Sequence, residues 1–144
     1  MSLDELLRAG RVRRATISRR EIEEAMKRAA RDLRTARKIM AEDRDWGFAV
    51  TYNAVLQASR AWMFAQGYRP AAAEGHKNVF AFMRVALGRE YDDLITYFDR
   101  MRGKRNQALY DVAGLISETE ARTLFARATG FVRLIRGKLG PARK

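Results

Sequence analysis

The chain contains no cysteine among its 144 residues. That excludes a disulfide framework, a thiolate nucleophile and any metal site built on thiolates. A single histidine, His76, is present, so sites that need two or three imidazoles, such as H-E-x-x-H, are excluded as well. Neither a metal nor a cofactor is expected. Two prolines leave few obligatory helix breaks. Long uninterrupted apolar runs are also scarce. The opening MSLDELLRAG has no apolar core and no cleavage signal, and does not read as a secretory peptide. Residues 46–66 approach membrane length, but Asn53, Gln57 and Arg60 lie near the middle of the stretch, where lipid would penalise them. The segment reads as a buried helix of a soluble protein, with no membrane partner and, by default, a cytoplasmic location.

What is present is apolar and basic. Hydrophobic residues make up 47% of the chain, and its length suits one domain that buries roughly two-thirds of its unfolded surface. The formal charge is +12 and the pI about 10.8. Arginine far outnumbers lysine, and guanidinium forks match phosphate geometry, which points to an anionic partner. A GC-rich coding bias is the competing account; it explains the Arg/Lys ratio better than the net charge.

Helix start and stop signals organise the chain. Residues 3–9 suit a short helix ended by Gly10, and residues 11–18 form a connector with Arg11, Arg13 and Arg14. Ser18 opens a capping box with Glu21. A long helix is expected from there to about Asp43, with Ile22, Met26, Ala29, Leu33, Ala36 and Met40 at three-to-four spacing. A second, over residues 45–66, is apolar around most of its circumference and so central. A third spans residues 73–87. A fourth starts near Arg89, and Gly114 breaks the chain after it. A second capping box, Ser117 to Glu120, opens the last helix, which runs to about Leu139. No strand-like alternation is visible. The expectation is an all-α, up-and-down antiparallel bundle of four main helices plus a short additional one. Residues 1–17 would form the N-terminal helix and basic connector, and residues 18–140 the bundle.

MRGKRNQALYD (residues 101–111) on the fourth helix carries the strongest hint of a site. At about 100° per residue, Leu94, Phe98, Met101 and Ala108 form one stripe, and Arg105 falls in its middle. A guanidinium there needs an anion, a carboxylate or a second subunit, unless its head snorkels to water. Arg102, Asn106 and Tyr110 step along an adjacent ridge. The bland reading of Arg102 and Lys104 is a solvated face with Asp99 as an i,i+3 partner; Asn106 and Tyr110 have equally ordinary readings. On the second helix Asn53, Gln57 and Arg60 share one face. It is either that helix's solvent side or a polar wall turned toward Arg105.

Two blocks resemble the HEPN domain, the higher-eukaryote and prokaryote nucleotide-binding helical bundle. One is DWGFAVTYNAVLQASRAWMFAQGYRP (residues 45–70), similar to the long second helix of these domains. The other is FDRMRGKRNQALYD (residues 98–111), similar to their arginine–asparagine signature. The likeness extends loosely over residues 18–138. In catalytic members the signature is an arginine followed, four to six residues on, by a histidine, and the domains are usually homodimeric, metal-independent endoribonucleases. The resemblance assigns the arginine to Arg105 and the polar follower to Asn106, and it finds Tyr110 where the histidine would stand. A tyrosine of pKa about 10 is a poor base at neutral pH.

The resemblance therefore implies a nucleotide- or RNA-binding module. Its contacts would be Arg102, Lys104, Arg105, Asn106 and Tyr110, with Asn53, Gln57 and Arg60 from the second helix. A homodimer is implied, as is a nucleotidyltransferase-type protein partner of the toxin–antitoxin kind. The alternatives are an active endoribonuclease toxin with Arg105 and Tyr110 as catalytic groups, and a non-catalytic protein-interaction bundle. His76, in E-G-H-K-N, reads as a histidine at a helix start; completion of the cleft from another helix stays open.

Overall fold

Side-chain caps set most of the helix starts in the computed structural model, which describes residues 1–140. Ser2, Ser18, Asp43 and Ser117 each accept a hydrogen bond from the backbone N–H three residues on. This satisfies a donor that the first turn would otherwise leave bare. The helices they open are α1 (Leu3–Arg8), α2 (Arg19–Ile39), α3 (Arg44–Ala65) and, last in the chain, α6 (Glu118–Leu139). At Ser2 and Ser117 the capping box is reciprocal, with Glu5 and Glu120 returning the bond. At Ser18 it is one-sided. The Glu21 carboxylate is taken instead by Arg69, at 2.8 Å.

Arg69 lies in a strand that the sequence did not disclose. Residues Val12–Arg14 (β1) pair antiparallel with Tyr68–Pro70 (β2), matching Val12 to Pro70, Arg13 to Arg69 and Arg14 to Tyr68. Three residues are too few to display a two-residue period, so no alternation betrays them. The remaining elements are α4 (Gly75–Leu87), a single 3-10 turn (Arg89–Tyr91) and α5 (Asp92–Tyr110).

The described residues form the expected all-α bundle, with six helices, one more than the count expected, and this one small ribbon. Helix α3 is its axis, packing against α2, α6, α5 and α4. Thirteen of its residues are buried, among them Phe48, Tyr52, Val55 and Phe64. It reaches α2 through a tight turn. A Cβ on Gly47 would lie 2.9 Å from the Met40 Cα, so only glycine lets the two backbones approach this closely. The N-terminal segment is packed on the bundle, with Leu6 and Val12 in the common core. No helix among the described residues is long and apolar enough to cross a membrane.

Candidate functional site

Helix α5 buries Ile95, Phe98 and Ala108 and leaves Arg105 half-buried beside them. The arginine is accommodated by a face of α3. Its guanidinium carbon stands 5.4 Å from the centre of the Tyr52 ring, a cation–π distance. Its Nη1 donates to Asn106 Oδ1 at 2.9 Å. Among the described residues no carboxylate pairs with it, and its buried Nε has no hydrogen-bond partner. The guanidinium is thus held by a ring face and an amide, with one buried donor unspent.

Tyr52 connects this arginine to the single histidine. Its hydroxyl lies 3.2 Å from His76 Nδ1, and the two rings are 5.9 Å apart. Tyr52 is fully buried, and burial pushes its pKa up, so it keeps its proton. A buried hydroxyl hydrogen needs an acceptor, and Nδ1 is the partner supplied. With Tyr52 as the donor, neutral His76 carries its hydrogen on Nε2. Burial first, then the charges of Arg105, Arg102 and Arg60, hold its pKa below the ordinary 6.5. At pH 7 His76 is therefore neutral.

His76 sits in the first turn of α4, after Glu74 in a left-handed conformation with φ of 55°. Together Glu74, His76, Lys77, Arg102, Arg105 and Asn106 line one hollow of about 260 Å³. Arg102 donates through Nε to Asp99 Oδ1 at 3.0 Å, and Lys77 stands 4.0 Å from Glu74. The walls thus carry three cations, one carboxylate and an imidazole.

Not every residue expected at the site reaches it. Lys104 crosses to α6 and pairs with Glu120. Tyr110 is 76% exposed at the end of α5 and does not line the hollow. Five residues of helix turn it about 140° away from Arg105. The α3 stripe faces elsewhere too. Asn53 donates to Asp32 Oδ2 of α2 at 2.7 Å, Gln57 is half-exposed, and Arg60 lies over the Phe64 ring at 5.3 Å. It is Tyr52, roughly 100° around α3 from Asn53, that meets α5. Of the three stripe residues only Arg60 acts on the hollow, through its charge on His76. Tyr52 and Lys77 are the members that sequence reasoning missed. Nothing local marks Tyr52, because its partners lie 24 and 53 residues on.

A protein-family model, the HEPN domain, matches residues 22–138. No curated protein and no solved structure matches the chain.

Proposed function

This chain belongs to the HEPN domain family, and from that premise we propose that it binds a nucleotide or RNA phosphate in the α4–α5 hollow. The observation that carries the proposal is Arg105, half-buried, with no ion-pair partner and no partner for its Nε among the described residues, beside Arg102, Asn106 and the His76 ring. A phosphate would take charge-assisted hydrogen bonds from these groups. The test is Arg105→Leu. Leucine keeps the packed stem and removes the unsatisfied donor, so stability should rise by about 1 kcal/mol in urea unfolding. Affinity for a mononucleotide, measured by calorimetry, should fall roughly 10- to 100-fold. A more stable variant with unchanged affinity would instead support a bundle whose charge is incidental.

The second reading, a metal-independent endoribonuclease, is favoured by one observation: a histidine does stand in the hollow, although on α4 and not at the signature position. Cleavage would need His76 to take the 2′-hydroxyl proton through Nε2, and with Tyr52 donating to Nδ1 that nitrogen already carries a hydrogen. Binding without cutting is therefore the better-supported outcome. Incubation with single-stranded RNA in chelator decides it, since cleavage that disappears in His76→Ala would reinstate the enzyme. A homodimer, a nucleotidyltransferase-type partner and a place in a toxin–antitoxin pair complete the proposal. They rest on family resemblance, and light scattering tests the first of them.

A further inference from the structure

The hollow at Arg105 is small. Its volume of about 260 Å³ falls below the roughly 300–1,000 Å³ of pockets that enclose a small-molecule ligand. It seats a phosphate and its immediate surroundings, and the rest of any ligand must lie elsewhere. A second hollow of about 670 Å³ runs on along α4 and α5. Lys77 lines both. Asp99, on the wall of the second, holds Arg102 of the first at 3.0 Å. The two are therefore neighbouring lengths of one groove.

The second length has its own chemistry. Arg11, Lys77, Arg84 and Arg89 stand along it, over a floor that includes Ala81 and Val85. Among the described residues neither Arg84 nor Arg89 has an ion-pair partner. Arg11 is fixed in advance, its Nε donating at 2.8 Å to Oδ1 of the buried Asn78. Two carboxylates oppose these cations. Asp99 is occupied by Arg102, and Asp92 stands at the start of α5, where the helix dipole favours it. Lys77 and Arg84 are two helical turns apart, about 10 Å, or some three stacked nucleotide steps of about 3.4 Å. Cations over an apolar floor are what a single strand meets when phosphates and bases are both in contact with protein.

We propose that this α4–α5 groove is a track for single-stranded nucleic acid, in which Arg11, Lys77, Arg84 and Arg89 hold the phosphates flanking the one at Arg105. The proposal rests on the reading of the Arg105 hollow as a phosphate site. Its test compares a mononucleotide with a single-stranded RNA hexamer, on wild type and on Arg84→Ala/Arg89→Ala. Both substitutions are on exposed side chains outside the Arg105 hollow. The hexamer should bind wild type at least tenfold more tightly than the mononucleotide. Its log–log salt slope should be steeper by about 0.7 for each phosphate engaged. In the double variant the hexamer's advantage and roughly two phosphates' worth of slope should be lost, while mononucleotide affinity is unchanged; Arg84→Lys/Arg89→Lys should restore the slope. A mononucleotide that binds as tightly as the hexamer, or an advantage that survives the double substitution, overturns the track and leaves the Arg105 site standing. If neither ligand binds, both readings fall. Were the double variant to dissociate a dimer and leave RNA affinity intact, the groove would be a subunit interface and the proposal wrong.

Discussion

His76 is the only histidine in the chain, so its titration can be followed by NMR without any assignment problem. Burial, and then the neighbouring guanidinium groups of Arg105, Arg102 and Arg60, lower its pKa, and the resonance should titrate below pH 6.5. Arg105→Leu removes one of those charges and should move the midpoint upward. Tyr52→Phe should move the midpoint too, because it removes the hydroxyl 3.2 Å from Nδ1. A midpoint unmoved by both substitutions would mean that the cluster does not exist in solution. At this scale the departure from the family signature acquires a physical content. Tyr110, which the resemblance sets at the histidine position, is exposed, while the imidazole that lines the Arg105 hollow comes from α4, its Nδ1 3.2 Å from the Tyr52 hydroxyl.

Two glycines show what individual helices tolerate. Gly103 lies in α5, and a Cβ there would meet nothing within 4 Å. Gly103→Ala should therefore stabilise the protein by about 0.5–1 kcal/mol, since alanine restricts the unfolded chain and suits a helix interior. Gly47 is the opposite case. The Met40 backbone sits 2.9 Å from where its Cβ would be. Gly47→Ala should cost about 1–3 kcal/mol by forcing α2 and α3 apart. Thermal melts of the two variants should move in opposite directions, and equal shifts would contradict the described α2–α3 turn. Lys104 makes a related point about elements: its pairing with Glu120 fastens α5 to α6 and removes it from the charges that face the hollow.

At the scale of the whole molecule, His76 links folding to pH. Its folded pKa lies below the unfolded value of 6.5, so the unfolded chain takes up the proton first as pH falls. Stability is fully present above about pH 6.5 and declines below it, toward the lower folded-state value. Urea unfolding of wild type and His76→Asn at pH 7.5 and 5.5 isolates this contribution. Wild type should lose more stability on acidification than the variant, and parallel losses would sink the assignment. The proposed phosphate binding should run the other way, because an imidazolium is a stronger donor to phosphate than a neutral ring. Affinity for a nucleotide should rise over the same interval in which stability falls.

The helices and their order were legible in the sequence because their determinants are local: the Ser18 and Ser117 caps, the apolar period of α2, and the all-round apolarity that made α3 central. The anomaly of Arg105 was legible too, since a cation on an apolar stripe is visible from angles alone. Contacts between distant residues decided the rest. The β1–β2 ribbon joins segments 58 residues apart by first partners (Val12 to Pro70), and Glu21 abandoned half of its capping box for Arg69 on that ribbon. No periodicity reports which way Asn53 turns, or that a buried tyrosine on α3 lies between Arg105 of α5 and His76 of α4. The sequence by itself determined the elements and the one misplaced charge, because backbone propensity and periodicity act within a few turns. Only the tertiary structure decided which groups surround that charge, because the packing of α3, α4 and α5 brings together residues that are independent along the chain.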